Sequence, residues 1–108
     1  MSQKIVINGC YGNFDFSNKG KEFLKARGYE WPVVADSYKK CEAIEYEIRI
    51  IPDLINAVEH EMGEELEGQY SVFKVVEIPD RVTDWTITSY DGLEEIICVL
   101  DGKLHFVR

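Results

Sequence analysis

The chain has 108 residues, of which 45% are hydrophobic and 30% are charged, as is typical of one globular domain that we place at residues 1–108. No run of about 18 apolar residues is present and the N-terminus reads as a strand, so we expect no membrane span, no signal peptide and a cytoplasmic location. The three cysteines are too widely spaced for a disulfide framework or a zinc site, and we expect no metal or other cofactor.

The formal net charge of −8 is unevenly distributed along the chain. Residues 1–41 carry a net charge of +3, whereas residues 42–108 carry −11. Such an acidic chain is not expected to bind nucleic acid through a broad basic surface. The acidic part could instead bind a basic protein or serve solubility alone, and a small anion would need a local pocket in the first segment.

The first three predicted elements are a strand, a loop and a helix. The alternating, β-branched segment Lys4–Asn8 predicts a strand. Gly9–Asp15 is rich in turn residues and predicts a loop. Ser17 is a good N-cap for a helix that runs to about Arg27, and Gly28 is placed to end that helix in the left-handed conformation.

The middle of the chain predicts a connection, a strand and a second helix. Tyr29–Lys40 has mixed signals and is interpreted as an irregular connection. Glu42–Ile50 alternates apolar and polar residues, which predicts a strand with one wet face. Asp53–Glu67 follows Pro52 and carries apolar residues at intervals of three and four, which predicts an amphipathic helix.

The last third of the chain predicts only strands. Val72–Ile78 is a strand, and Asp84–Ser89, Leu93–Leu100 and Lys103–Val107 follow it. Two Asp-Gly pairs separate the last three strands and predict tight hairpin turns, hence an antiparallel meander.

These elements predict an α+β fold. Two helices are expected to pack on one face of an antiparallel or mixed sheet of about five or six strands that ends in the meander. Lys4–Asn8 is expected to lie near Val72–Ile78. The edge strand Lys103–Val107 leaves a homo-oligomer open.

Two motifs resemble a widespread family of small uncharacterised phage and prophage proteins. The first is KIVIN-x-CYG-x-F-x-x-S at the start, and the second is VFKVVEIPD-x-V-x-x-W-x-I-x-x-YDG-x-E-x-I, which spans Val72 to Ile96. The chain departs from the family's usual CYGGF and G-L-S pattern at Asn13 and Asp15, residue types that tolerate glycine-like backbone angles. The family has no generally assigned catalytic activity, so the resemblance implies a non-catalytic accessory protein that binds and neutralises a host component.

The opening loop is the first candidate site. Its amides could face an anion near a helix N-terminus while its aromatic rings stack on a base, and a nucleotide-like signal would then be sequestered, as in an anti-defence sponge. The alternative is that the aromatic side chains fill the core and Asn8 caps its own backbone. The candidate ligand-binding residues are Asn8, Cys10, Tyr11, Gly12, Phe14 and Arg49, the last supplying positive charge from just before the second helix.

An acidic helix face is the second candidate site. Its glutamates are candidates for binding a basic host protein or for mimicking nucleic acid. His60 lies beside them, but the second histidine of a zincin motif is absent, so we expect a solvated acidic face rather than a metal site. The candidate partner-binding residues are Glu59, Glu61, Glu64 and Glu65.

Enzymatic activity on a small metabolite is the less favoured hypothesis. Cys10 could act as a nucleophile only with a neighbouring base, and no histidine is near it in sequence. Glu77 and Asp80 flank Pro79 and could form a general acid–base pair. Tyr90 beside the first Asp-Gly turn could hold a polar ligand, although turn chemistry alone explains that motif.

Overall fold

The computed structural model describes residues 3–60 and 62–107 and has an α+β fold, as predicted. In chain order its elements are β1 (Gln3–Asn8), α1 (Asn18–Lys25), α2 (Tyr38–Arg49), α3 (Pro52–Glu59), α4 (Gly63–Leu66), β2 (Phe73–Ile78), β3 (Val82–Tyr90), β4 (Leu93–Leu100) and β5 (Lys103–Val107). None of the described helices has the length and apolar composition needed to cross a bilayer.

A two-stranded ribbon lies at the centre of the molecule. β1 pairs antiparallel with β2, which confirms the prediction that Lys4–Asn8 lies near Val72–Ile78. Alternate β1 side chains point to opposite sides of the ribbon. Ile5 and Ile7 pack with Ile96 of the meander, whereas Val6 packs with Leu54 and the helices. The fold therefore has three layers, and both faces of β1 are buried.

The meander forms as predicted. β3, β4 and β5 pair antiparallel in sequence order, and two-residue turns join them. Positive φ angles of 49° and 87° at Asp91 and Gly92, and of 53° and 75° at Asp101 and Gly102, are those of a type I′ turn.

The expected single sheet of five or six strands is wrong, because the strands form two separate sheets of two and three strands. Side chains close the free edge of β1 where a third strand would pair. Arg49 Nη1 donates to the Val6 carbonyl at 3.2 Å, and the Asn8 amide donates to Glu94 Oε1 at 2.7 Å. These bonds satisfy main-chain groups that a neighbouring strand would otherwise satisfy.

The predicted strand at Glu42–Ile50 is also wrong, because this segment belongs to helix α2. Ser37 caps α2, and its hydroxyl accepts the Lys40 amide at 3.2 Å. An alternating pattern also places apolar residues four positions apart, and Ile44 and Ile48 use that spacing to face the core from a helix. Arg49 consequently lies in the last turn of α2, just before α3, the first part of the predicted second helix.

The predicted helix at Asp53–Glu67 is divided into α3 and α4, so the structure has four helices among the described residues instead of two. The α-helical hydrogen-bond pattern ends after α3, where the Met62 amide donates to the Ala57 carbonyl, five residues earlier, at 2.9 Å. α4 contacts the start of α1, where the Ser17 amide donates to the Leu66 carbonyl at 3.0 Å.

The first helix forms as predicted. Ser17 Oγ accepts the Gly20 amide at 3.0 Å, which is the hydrogen bond expected of an N-cap serine. The helix ends before Gly28, whose φ of 86° lies in the left-handed region.

Candidate binding face around the opening loop

Three amides of the opening loop donate to main-chain carbonyls. The Gly9 amide donates to the Val72 carbonyl at 2.8 Å, and the Asn13 amide donates to the Tyr70 carbonyl at 3.0 Å. The Gly12 amide donates to a carbonyl of the loop itself at 3.0 Å. Because these donors are already satisfied by main-chain oxygens, they do not form an anion-binding nest.

Asn8 joins three separate segments of the chain. Its fully buried amide group donates from Nδ2 to the carbonyls of Cys10, at 2.9 Å, and of Gly92, at 2.7 Å. Its Oδ1 accepts the Val72 amide at 2.9 Å. The opening loop, the segment before β2 and the β3–β4 turn are thereby held together by one side chain.

These segments approach each other closely because two glycines lie between them. A Cβ atom at Gly92 would overlap the Gly12 carbonyl, and a Cβ atom at Gly12 would overlap the Tyr70 carbonyl. Main chain therefore packs directly on main chain across the three segments. The second glycine of the opening loop, Gly12, and the glycine of the first Asp-Gly turn, Gly92, are therefore in direct main-chain contact.

Each of the three segments presents an exposed tyrosine. Tyr11, Tyr70 and Tyr90 are 72%, 67% and 74% exposed, and we call these three residues the three-tyrosine face. Tyr11 precedes Gly12, which packs against the Tyr70 carbonyl, and it lines a cavity of about 260 Å³ with Tyr90. The other residues that line this cavity are Thr88, Ser89, Leu93, Glu94 and Glu95.

Arg49 and Glu94 form a buried ion pair beneath this face. The guanidinium donates to both carboxylate oxygens, at 2.8 and 2.7 Å, and the two side chains are 7% and 9% exposed. The same carboxylate accepts a hydrogen bond from the main-chain amide of Asn8. The charge of Arg49, which was predicted to bind a ligand, is therefore neutralised by a buried carboxylate of the protein itself.

Phe14 is partly buried and packs against the core. Its ring centroid is 5.1 Å from that of Phe73, 5.4 Å from that of Phe16 and 5.8 Å from that of Trp31. The Arg49 guanidinium carbon lies 3.7 Å from the Phe14 ring centroid on a remaining face. Of the two aromatic residues predicted to stack on a ligand, only Tyr11 has an exposed ring.

The surroundings of Cys10 do not resemble those of a nucleophile. Its half-buried Sγ lies 3.3 Å from Asn8 Oδ1 and 3.4 Å from the Tyr70 carbonyl, both hydrogen-bond acceptors. Neither is a base able to activate a thiol. His60 is bonded elsewhere, with Nδ1 2.7 Å from the Asn56 carbonyl.

The other candidate catalytic pair straddles the end of β2. Glu77 lies on the strand opposite Lys4, and Asp80 lies in the turn that leads to β3. Asp80 lines a cavity of about 270 Å³ with Trp85 and other residues of that end of the molecule, and Glu77 is not among its lining residues.

The acidic helix face is partly neutralised. Glu59 accepts Lys4 Nζ at 2.9 Å, and this hydrogen bond raises the pKa of Lys4 above its ordinary value. Glu65 pairs with Lys19 at 3.1 Å, whereas Glu64 is exposed. Glu61 lies outside the described residues.

Sequence reasoning missed two members of this region. Tyr70 stands in a segment without periodicity, and no local signal relates it to the opening loop. Glu94 did leave a signal, because the alternation of β4 places it on the same face as Ile96 and Cys98. A carboxylate on a buried face requires a buried cation, and Arg49 is that cation.

The exposed side chains of this region are of a type that forms binding contacts. Three rings of one amphipathic type project from segments that are fixed by buried hydrogen bonds, with a small cavity between two of them. Among residues 3–60 and 62–107, no three side chains of the metal-binding types converge. No family model, curated protein or solved structure matches this chain.

Proposed function

We propose that this chain is a non-catalytic binding protein that engages a basic host protein through the three-tyrosine face. The observation that carries the proposal is the position of Asn8, which fixes three segments that each present an exposed tyrosine. The host setting rests on the resemblance to phage and prophage proteins, and an accessory, anti-defence role follows from that resemblance.

Exposed tyrosines on a fixed backbone suit protein recognition. Tyrosine is enriched in interfaces because its ring buries a large apolar area while its hydroxyl forms a hydrogen bond. It also has few rotatable bonds, so little conformational entropy is lost when it is immobilised. Because Asn8 and the close contact between Gly12 and Gly92 fix the backbone, the cost of ordering the loops on binding is already met by the fold.

The charge of the chain supports a basic partner. Tyr70 and Tyr90 belong to residues 42–108, which carry a net charge of −11. An acidic surface attracts a cationic protein, and lysine and arginine side chains also bind the faces of tyrosine rings. A nucleotide-like ligand at this face is less well supported, since the Gly9, Gly12 and Asn13 amides are bonded to main-chain carbonyls and Arg49 is paired with Glu94.

The proposal is tested by capturing partners from a bacterial extract on the immobilised protein and then measuring the affinity of the purified partner. The variant replaces Tyr11, Tyr70 and Tyr90 with alanine. We expect it to weaken binding by about thirtyfold or more, since truncating a hot-spot aromatic costs about 2 kcal/mol or more. Affinity should also fall between low and moderate salt, because opposite charges attract the two proteins.

Tyr38→Ala is the matched control. Tyr38 is 82% exposed at the start of α2 and does not belong to the three-tyrosine face. We expect this variant to bind the partner as the wild type does. Equal binding by the triple variant, with a native circular dichroism spectrum, would exclude the three-tyrosine face as the recognition surface.

A further inference from the structure

A groove beside α1 has a chemistry that differs from that of the three-tyrosine face. It has a volume of about 390 Å³ and is lined by Lys21, Lys25, Gly28, Tyr29, Glu30 and Trp31. We propose that this groove binds a small molecule in which a planar ring carries a phosphate or carboxylate group.

The aromatic side of the groove is preformed. Trp31 is half-buried, and its Nε1 donates to Asp15 Oδ1 at 2.7 Å. Its ring also packs edge-on against Phe16, with 4.9 Å between the centroids. Tyr29 is half-buried and packs against the core, and its main-chain amide donates to the Leu24 carbonyl at 2.9 Å. The two rings are therefore held in place before a ligand arrives, which favours stacking with a planar ring.

Two lysines supply the positive charge. Lys21 and Lys25 are four residues apart on α1, so their side chains lie on the same side of the helix. Within residues 3–60 and 62–107, neither ammonium group has a carboxylate at ion-pairing distance, in contrast to Lys4 and Lys19. Like charges at this spacing repel each other, and a bound anion would relieve that repulsion.

Charge and volume together limit the ligand to a small anion. Glu30 is the one carboxylate that lines the groove, so the lining carries one more positive than negative charge. The groove lies in residues 1–41, which have a net charge of +3, whereas the whole chain has −8. The acidic remainder repels a polyanion, and the volume is at the lower end of the range of about 300–1,000 Å³ for small-molecule sites.

Trp31 provides a fluorescent reporter for this groove. The second tryptophan, Trp85, stacks on Tyr46 with 5.5 Å between the ring centroids and is replaced by phenylalanine in all proteins tested. The probes are AMP, which has both a ring and a phosphate, adenosine, which has only the ring, and ribose 5-phosphate, which has only the phosphate. Nicotinate tests a carboxylate on a ring, and a thymidine oligonucleotide tests a polyanion.

We expect AMP or nicotinate to quench Trp31 saturably, and the stronger of the two identifies the anionic group. Adenosine and ribose 5-phosphate should bind about tenfold more weakly or worse, since each lacks one of the two contacts. The proposal is overturned if none of the probes quenches saturably, if adenosine binds as tightly as AMP and nicotinate, or if the oligonucleotide binds more tightly than both.

A pair of lysine variants completes the test. Lys21→Gln with Lys25→Gln should weaken the binding of AMP or nicotinate by about tenfold. Lys39→Gln with Lys40→Gln removes the same charge from an exposed position at the start of α2 and should leave binding unchanged. Equal binding by both variants would overturn the proposal. The groove shares no residue with the three-tyrosine face, so its failure would leave the protein-binding proposal standing.

Discussion

At the scale of single residues, the loss of hydration on burial is compensated for one polar side chain and not fully compensated for another. Asn8 is fully buried, but its side chain has hydrogen-bond partners on both its nitrogen and its oxygen, so its desolvation is compensated. Glu45 is partly buried on α2 and its compensation is incomplete. Burial raises the pKa of Glu45 above its ordinary value of 4.5, and attraction by Arg49 lowers it by a smaller amount.

Glu45→Gln should therefore stabilise the protein at neutral pH. A carboxyl group whose pKa is higher in the folded than in the unfolded state lowers the free energy of unfolding once the pH is above both values. That penalty disappears as the pH falls below the ordinary value of 4.5, where the group is protonated in both states. Urea denaturation at pH 7 and near pH 4 measures the difference.

Glu47→Gln is the control for this prediction, because Glu47 is an exposed carboxylate on the same helix. It removes the same formal charge without removing a buried one. We expect a smaller change in the free energy of unfolding for Glu47→Gln at pH 7. A loss of stability in Glu45→Gln at pH 7 would contradict the prediction.

At the scale of elements, the two Asp-Gly turns are alike in sequence and differ in surroundings. Gly92 and Gly102 have φ angles of 87° and 75° in equivalent positions of consecutive hairpins. A Cβ atom at Gly102 would have no atom of residues 3–60 or 62–107 within 4 Å, whereas one at Gly92 would overlap the Gly12 carbonyl. Local sequence predicts both turns, but the packing of the opening loop on the first turn is a tertiary feature.

Alanine at these two glycines should separate turn strain from packing. Gly102→Ala should cost about 1–2 kcal/mol, which is the price of a left-handed conformation for a residue with a Cβ atom. Gly92→Ala should cost about 1–3 kcal/mol more, since the opening loop must also move. Urea denaturation measures the free energy of unfolding of both variants. Equal losses of stability would contradict the prediction, because they would show that moving the Gly12 carbonyl requires no free energy.

At the scale of the whole molecule, one ion pair connects the layers. Arg49 ends α2, Glu94 begins the core-facing side of β4, and together they satisfy main-chain groups on the free edge of β1. The Arg49 guanidinium also packs on the Phe14 ring of the opening loop. The pair thus joins a helix, the ribbon, the meander and the base of the three-tyrosine face.

Removing one partner of this pair should be severely destabilising. Arg49→Met or Glu94→Leu should each cost about 3–5 kcal/mol, because a buried charge is left uncompensated. The double variant Arg49→Met with Glu94→Leu should lose less than the sum of the two single losses, since no unpaired charge remains. A double-mutant cycle by urea denaturation checks this, and additive losses would contradict it.

The sequence by itself determined the elements whose signals are local. Alternating residues specify β1, β2 and the meander, two Asp-Gly pairs specify its turns, and Ser17 specifies the start of α1. These signals suffice because the hydrogen bonds of a tight turn or an N-cap join residues close together in the chain.

Only the tertiary structure decided the conformation of α2 and the composition of the candidate face. Glu42–Ile50 has apolar spacings that fit a strand or a helix, and packing against the core selects the helix. Asn8 and Gly92 are 84 residues apart, so no local pattern indicates that they are bonded or that the segments of Tyr11, Tyr70 and Tyr90 pack together. Such contacts depend on the packing of distant segments, which the chain acquires only when the three layers have assembled.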